Sequence, residues 1–93
     1  MVKVGSYNYE KSTRKDKKLM VTVNGKKIHF GSRNMQHFKD LTGIWKKLDH
    51  LDDKRRKNYL ARAKGIKNKK GELTFKNPES ANYHAVRILW NGQ

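Results

Sequence analysis

The stretch LMVTVNGKKIHF, residues 19–30, predicts the centre of the fold. Two runs of β-prone residues flank Asn24-Gly25, and a two-residue Asn-Gly connection between such runs is typical of a β-hairpin with a type I′ turn. This turn places Val23 opposite Lys26, and the side chains behind them alternate between the two faces. The register therefore predicts that four apolar side chains share one buried face: Leu19, Val21, Ile28 and Phe30.

The other face of the predicted hairpin is polar and basic. It carries Met20, Thr22, Lys27 and His29. A face of this kind lies either against a ligand or against water, and the sequence leaves both readings open. The Gly-Ser pair that follows the second run is expected to end the hairpin.

The residues before the hairpin predict a strand and then a loop. Val2–Tyr9 is rich in β-forming residues and reads as a first strand with Gly5 as a bulge. The following EKSTRKDKK, residues 10–18, predicts an exposed loop, and we expect residues 1–18 to be flexible in part. Such a loop contacts phosphates if nucleic acid lies nearby and otherwise only aids solubility. Its cations are Lys11, Arg14, Lys15, Lys17 and Lys18.

The residues after the hairpin predict helices. From Met35 to Leu51 the apolar residues keep a helical spacing, with Asp40 or Thr42 as N-cap and Trp45 as a core anchor. Further on, Leu73–Phe75 predicts a short strand. These residues supply the helical spacing: Leu41, Ile44, Trp45, Leu48 and Leu51.

The end of the chain predicts a closing helix. Asn77-Pro78-Glu79 combines an N-cap, a proline at the first helical position and an acid in the first turn, so the helix should run from Pro78 to about Trp90 and stop at Asn91-Gly92. We therefore expect an α+β fold, a small antiparallel hairpin sheet packed against two or three helices in a single domain that spans residues 1–93. The predicted core side of the closing helix comprises Ala81, Ala85, Val86, Leu89 and Trp90.

A strongly basic helix lies between these elements. Two carboxylates, Asp52 and Asp53, begin the stretch HLDDKRRKNYLARAKGIKNKK of residues 50–70, where a helix N-terminus favours negative charge. Gly65 with an apolar residue after it reads as a left-handed Schellman stop, so the helix should span about 53–64. One face carries the residues expected to pack: Arg56, Tyr59, Leu60 and Ala63. The other carries Lys54, Lys57, Ala61 and Lys64.

The net charge points to a polyanionic partner. The chain has 93 residues, with 23 Lys and Arg against 8 Asp and Glu, a formal charge of +15 and a pI near 10.3. Ion pairs within the chain cannot neutralise this excess, and nucleic acid is the usual compensating partner. The alternative is that the basic helix is an ordinary solvated surface with no partner. We expect sequence-tolerant binding to the phosphate backbone, because no zinc finger, RNP1 or G-x-x-G recognition signature is present. We expect DNA as the partner in preference to RNA.

The expected contacts with nucleic acid come from the basic loop, the hairpin and the basic helix. Arginines form forked contacts with phosphate and lysines act as point charges. Arg56 borders the packing face, so its truncation is expected to affect folding as well. Tyr59 is more simply a core tyrosine than a stacking surface for a base. The candidate binding residues are Lys11, Arg14, Lys15, Lys17, Lys18, Lys27, Lys54, Arg55, Arg56, Lys57, Arg62, Lys64, Lys67, Lys69 and Lys70.

Other functional classes lack sequence support. There are no cysteines, so disulfides and cysteine-based metal sites are excluded. The four histidines have no metal-ligand spacing, and the carboxylates Asp49, Asp52 and Asp53 are explained by helix capping. No phosphate loop or nucleophile elbow occurs. We therefore expect no enzymatic activity, no catalytic residues, no metal and no cofactor. No apolar run approaches a membrane span and no signal peptide is visible, so neither a membrane nor secretion is expected.

Three blocks of the sequence carry a family resemblance. They are HFG at His29–Gly31, a His-x-Asp-x-x-Arg-Arg-x-x-Tyr-x-x-Arg pattern that runs from His50 to Arg62, and NPESANYHAVRILW at 77–90. Their order and spacing over residues 19–90 resemble a family of small basic uncharacterised proteins of large double-stranded DNA viruses. This chain departs from the family by an insert around Ile44–Lys47 and by His84 and Arg87 where aromatic residues are common. A shared aromatic surface is therefore not carried over.

The resemblance implies a small viral protein that is packaged in the virion, and it supplies no mechanism. A role in genome packaging fits the charge of the chain. The alternative is a minor structural virion protein that binds acidic capsid components through the same charge. The expected location is the virion or the host cell interior, nucleus or cytoplasm, and homo-oligomerisation is left open.

Overall fold

A four-stranded antiparallel sheet and two helices make up the structure, a computed structural model that describes residues 2–92. Met1 and Gln93, which the single-domain prediction includes, lie outside the described residues. Each strand pairs with the next along the chain in the order β1-β2-β3-β4, so the predicted α+β fold is confirmed. The strands are β1 (Val2–Val4), β2 (Tyr7–Lys11), β3 (Lys17–Val23) and β4 (Lys26–Ser32).

The β3–β4 hairpin has the predicted register. Val23 pairs with Lys26 around Asn24 and Gly25, whose φ angles of 51° and 78° are the positive values that a type I′ turn requires. The pairs Val21–Ile28 and Leu19–Phe30 follow, and all four of these side chains are buried as predicted. Met20, on the other face, is also buried, so that face is less polar than its sequence indicates.

The N-terminal region differs from its prediction. Val2–Tyr9 is not one strand with a bulge, because Gly5 (φ 63°) and Ser6 form a tight turn between β1 and β2. The predicted loop of residues 10–18 is shorter at both ends, since β2 continues to Lys11 and β3 begins at Lys17. Pairing with the neighbouring strands satisfies these backbone groups, which leaves only residues 12–16 to connect the two strands.

The predicted helix over Met35–Leu51 is wrong. This segment is a loop with one short 3₁₀ turn, Lys46–Leu48. Its backbone N–H groups donate to distant carbonyls: that of Lys39 to Leu89 at 3.0 Å and that of Leu41 to Ile88 at 3.0 Å. A helix would need those donors for its own ladder, whereas here they satisfy carbonyls at the end of the last helix.

Asp40 holds this loop by its side chain. The buried carboxylate accepts hydrogen bonds from the backbone N–H and the hydroxyl of Thr42 and from the backbone N–H of Trp45. It therefore caps a turn, and it does not begin a helix. The Trp45 indole is half-buried against the core cluster and donates to the carbonyl of Lys18 at 2.8 Å. Leu41, Ile44 and Leu51, which contribute to the helical spacing in the sequence, are exposed.

The basic helix α1 spans Asp53–Ala63, close to its predicted bounds. The predicted left-handed Gly65 is wrong, since its φ is not positive. The last turn instead tightens, with the N–H of Gly65 bonding the carbonyl of Arg62 and the N–H of Ile66 bonding that of Ala63. The predicted strand at Leu73–Phe75 is also wrong: only Leu73 forms a single bridge, with Lys67, and Thr74–Lys76 is a 3₁₀ turn.

The closing helix starts later than predicted. Asn77 through Ser80 form a turn, and Ser80 is the N-cap, accepting from the N–H of Asn82 at 3.1 Å. The α-helix α2 covers Ala81–His84 and continues as a π-helical segment, Ala85–Leu89. The end is as predicted: Asn91 adopts a positive φ of 47°, and the N–H of Gly92 bonds the carbonyl of Val86.

The core lies between one face of the sheet and this closing helix. Ala85, Ile88 and Leu89 pack against the buried sheet residues, whereas Ala81 is exposed and Trp90 only half-buried. His84 is 0% exposed and lies among aromatic rings, with its Nδ1 2.8 Å from the Tyr9 hydroxyl and its Nε2 2.6 Å from the Pro78 carbonyl. A histidine thus occupies a core position, because both ring nitrogens have partners.

Candidate nucleic-acid interface

The helix α1 begins at a well-formed cap. The Asp52 carboxylate accepts from the backbone N–H groups of Lys54 at 3.0 Å and Arg55 at 3.2 Å. The His50 Nδ1 in turn accepts from the N–H of Asp52 at 2.9 Å. These side chains satisfy donors that a helix start leaves unpaired and place negative charge at its positive end. His50 and Asp52 thus act together as the cap of α1.

One face of α1 holds the helix on the domain, as predicted. Arg56 donates to the carbonyls of Trp90 at 2.9 Å and Asn91 at 2.7 Å, and its guanidinium lies 5.4 Å from the ring centroid of Phe38. Tyr59 stacks on Trp90, and Ala63 is buried. Arg56 is half-buried, and its guanidinium is already bonded to these two carbonyls. Although Arg56 was among the predicted phosphate contacts, its role in the structure is to position α1.

The outer face of α1, defined here as Lys54, Arg55, Lys57 and Arg62, is exposed. None of these four cations makes an ion pair within residues 2–92. The only contact in this range between a basic and an acidic side chain at ion-pair distance is that of His37 with Asp49. The Arg55 guanidinium donates one hydrogen bond, to Gln36 Oε1 at 3.0 Å. Lys64 is half-buried, with its ammonium 5.8 Å from the Phe75 ring centroid. The outer face therefore presents uncompensated positive charge.

The basic segment after α1 is ordered by its own backbone. Asn68 Oδ1 accepts from the N–H groups of Lys70 at 2.9 Å and Glu72 at 3.0 Å, and Gly71 takes a positive φ of 81°. Lys67, Lys69 and Lys70 are all exposed. The turn thus displays three cations beside one carboxylate.

The predicted binding residues of the N-terminal half differ in their exposure. Arg14, Lys15 and Lys27 are exposed, and so is Lys11, whose ammonium lies 5.2 Å from the Trp45 ring centroid. Lys17 is half-buried beside the β2–β3 connection. Lys18 differs from all of them: it is only 1% exposed, so its prediction as part of an exposed basic loop is wrong. Strand β3 begins at Lys17, so Lys18 belongs to the strand, and its side chain is buried.

A cleft of about 450 Å³ lies between α1, the end of β4 and the closing helix. Arg55, Asn58, Tyr59 and Arg62 of α1 line one side, spaced along a single helical stripe. Lys18 lies on the other side, and the cleft thus brings together three of the predicted binding residues. Lys54 and Lys57 lie outside it. The apolar part of its wall is formed by Met35, Ala85, Leu89 and Trp90.

A chain of polar contacts holds Lys18. Its Nζ donates to the Met35 carbonyl and lies 2.9 Å from His37 Nδ1, while His37 Nε2 lies 2.6 Å from Asp49 Oδ1. Burial lowers the pKa of Lys18 to about 8, although the negative charges of Asp40 and Asp49 act to raise this pKa. Burial and the Lys18 ammonium lower the pKa of His37, so its neutral ring accepts from Lys18 and donates to Asp49.

Sequence reasoning missed this arrangement. Asp49 was interpreted as a helix-capping carboxylate and His37 as one of four scattered histidines. One signal was present, since Gly31 lies opposite Lys18 in the β3–β4 ladder, and a strand glycine marks a close approach of another group. A Cβ at Gly31 would lie 2.7 Å from a Leu89 methyl and 3.4 Å from the Lys18 Cβ.

Neither a cluster of metal-ligating side chains nor a membrane-spanning helix occurs among the described residues. Within residues 2–92, no three His, Cys, Asp or Glu side chains come together in a way that could hold a metal ion. No helix in this part of the chain is long and apolar enough to cross a bilayer.

Comparison with known proteins gives one match. The model of a family described as "Family of unknown function (DUF5754)" matches residues 7–42, which contain β2, β3 and β4 and stop short of α1. No curated protein matches, and no solved structure matches. The matched part thus includes Lys18 and His37 but none of the outer face of α1, and the resemblance to viral proteins stays a prediction.

Proposed function

We propose that this protein binds nucleic acid through the phosphate backbone, with little sequence preference and with DNA favoured over RNA. The observation that carries the proposal is the outer face of α1, where four exposed cations have no acidic partner among residues 2–92. The contacts of Arg56 and Tyr59 that hold the helix on the domain support it, because a backbone already held in place loses less conformational entropy on binding than a mobile one.

The exposed cations outside α1 extend the proposed contact area. The ordered turn with Lys67, Lys69 and Lys70 follows α1 directly. Backbone binding is driven by the release of counterions from the phosphates, and it depends on the number of cations engaged. In a virus, such binding would serve genome packaging, and this context rests on the family resemblance alone.

The salt dependence of DNA binding tests the proposal. If about six phosphates of a duplex are engaged, log K falls with log salt at a slope near −5, so affinity drops about a thousandfold between 50 and 200 mM salt. Changing Lys54, Arg55 and Lys57 to Ala should reduce the slope by about three units and weaken binding to all sequences alike. Alanine is a good helix former, so this variant should keep α1 folded.

A matched control removes the same charge elsewhere. Lys26, Lys46 and Lys47 are exposed and lie outside α1, and their replacement by Ala also lowers the formal charge by three. The control should change the slope by less than the α1 variant. Equal effects would assign binding to net charge alone, and an unchanged slope in the folded α1 variant would refute a role for this helix. Retention of polyglutamate without any DNA binding would instead indicate an acidic protein partner.

A further inference from the structure

We propose that the cleft beside α1 binds one phosphorylated nucleoside, with its phosphate held among Lys18, Arg55 and Arg62. This inference deepens the proposed function, on which it rests, by naming the part of a nucleic acid that enters the protein. A free nucleotide and the terminal nucleotide of a strand present the same chemistry.

The charge of the cleft lining suits an anion. Three lining residues are formally charged, Lys18, Arg55 and Arg62, and all three are cations. The lining contains no Asp or Glu, and the nearest carboxylate partner, Asp49, lies behind the neutral ring of His37. A phosphate monoester carries close to two negative charges at neutral pH and therefore complements this site better than a singly charged carboxylate.

Lys18 has donor capacity left for such a ligand. An ammonium group has three protons, and the hydrogen bonds of Lys18 within residues 2–92 use two of them, on the Met35 carbonyl and on His37 Nδ1. A buried cation with an unused donor gains strongly from an anion, because the surrounding medium screens their attraction weakly. The third proton has no partner among the described residues, so it is left to bond a phosphate oxygen that enters the cleft.

The two arginines are placed on the facing wall. Arg55 and Arg62 are seven residues apart on α1, about two helical turns or roughly 10 Å along its axis. The Arg62 guanidinium makes no hydrogen bond or ion pair with another described residue, and the Arg55 guanidinium uses one donor on Gln36 Oε1. Both guanidinium groups therefore keep the paired N–H groups that recognise phosphate.

The size and the apolar wall of the cleft limit the occupant. A volume of about 450 Å³ lies in the range of small-molecule sites, which suits a single nucleotide and not a length of duplex. Leu89 and Trp90 supply apolar surface for a sugar or base. Lys18 lines the cleft but is only 1% exposed, so a phosphate that stays on the surface, as in a duplex, does not contact it.

Binding of AMP and adenosine to the full chain provides the first test. Amide chemical shifts of Gly31, Leu89 and Trp90 report on the cleft wall. AMP should shift these signals and bind about tenfold more tightly than adenosine, because charge-assisted hydrogen bonds to the phosphate are lost in the nucleoside. Equal affinity, or shifts confined to residues outside the cleft, would overturn the inference.

Short single-stranded oligonucleotides with and without a 5′-phosphate identify the source of the ligand. Tighter binding of the phosphorylated strand would assign the cleft to strand ends, and preference for AMP alone would assign it to free nucleotides. Arg62→Gln should remove the phosphate preference in either case, and Lys18→Met should do the same if it folds. Since Arg62 is exposed, its variant remains informative if the Lys18 variant does not fold.

The control is Lys54→Gln with Lys57→Gln, on the side of α1 that does not line the cleft. This double variant should weaken binding of both oligonucleotides and leave the phosphate preference intact. Loss of the preference in the control as well would show that it reflects general charge and would overturn the inference. Duplex binding with a steep salt slope but no phosphate preference would refute the cleft and leave the proposed function standing.

Discussion

The ring of Tyr59 in α1 lies flat on the indole of Trp90 at the end of the closing helix, with centroids 4.0 Å apart and planes 8° from parallel. This stack, together with the hydrogen bonds from the Arg56 guanidinium to the carbonyls of Trp90 and Asn91, joins the basic helix to the core. We expect Trp90→Ala to lower the free energy of unfolding by about 3 kcal/mol. A double-mutant cycle with Tyr59→Ala, followed by urea unfolding, should give a coupling of about 1 kcal/mol. Strictly additive effects would contradict the stack, and Ile66→Ala, at an exposed position, should be nearly neutral.

The neighbouring residues Arg55 and Arg56 in α1 should differ in how much they contribute to stability. Arg56→Ala leaves the carbonyls of Trp90 and Asn91 without their donor, so we expect a loss of about 2 kcal/mol in the free energy of unfolding. Arg55→Ala removes an exposed side chain and should change stability by less than about 0.5 kcal/mol. Chemical denaturation of both variants measures the difference. Equal stabilities would show that the Arg56 contacts contribute nothing to docking.

Two glycines with positive φ, Gly25 in the hairpin turn and Gly31 in strand β4, separate the cost of backbone strain from that of steric contact. Gly25→Ala should cost about 1 kcal/mol, because φ is 78° but no atom lies within 4 Å of the new Cβ. At Gly31 the φ of 79° is similar, and the new Cβ would lie 2.7 Å from a Leu89 methyl, so Gly31→Ala should cost roughly 1–3 kcal/mol more. Thermal unfolding compares them. Equal losses of stability in the two variants would mean that the Leu89 side chain can shift away from the new Cβ without cost.

The buried Lys18 should make stability rise with pH under alkaline conditions. Its pKa is about 8 in the folded protein and 10.5 when unperturbed, so between these values the unfolded chain binds more protons. From pH 8 to 10 the free energy of unfolding should gain about 2 kcal/mol from this group. Above pH 10, ionisation of tyrosines in the unfolded chain opposes the gain, since burial raises the pKa of Tyr9 and Tyr59. Denaturant unfolding of Lys18→Met should lack the rise, and an equal rise in both proteins would contradict this role.

The buried His84 should make the protein sensitive to acid. Burial lowers its pKa below 6.5, so the unfolded chain binds the extra proton as pH falls through 6.5 and stability decreases. One such histidine contributes a slope of up to about 1.4 kcal/mol per pH unit, and His37 and His50, whose pKa values are also lowered, add to it. His84→Phe should therefore flatten the slope between pH 6.5 and 5 by about 1 kcal/mol per unit. An unchanged slope in chemical denaturation would place the acid sensitivity elsewhere.

Features that depend on near neighbours in the chain could be predicted from the sequence. Asn24-Gly25 determines the β3–β4 register, because a two-residue turn with two positive φ angles leaves one way to pair the flanking strands. Asp52 and the apolar spacing after it determine α1 and its packing face. Arg56 was correctly placed at the border of that face by its helical period alone.

Features that depend on distant partners were predicted wrongly. The apolar residues of 35–51 have a helical spacing, yet Lys39 and Leu41 donate their backbone N–H groups to carbonyls about fifty residues away. Asp40 looked like a helix N-cap, and its carboxylate caps a loop turn instead. In both places the local pattern suited a helix, and the hydrogen bonds available in the folded protein favoured a loop.

The sequence by itself determined the excess of positive charge, the central hairpin and the basic helix, since composition, turn chemistry and capping act over a few residues. Only the tertiary structure decided that Lys18 is buried, that it contacts His37 and that it shares a cleft with Arg55 and Arg62. These groups come from β3, a loop and α1, and no short-range pattern relates them. Their meeting follows from the packing of the sheet, the loop and the helices, which is a property of the whole chain.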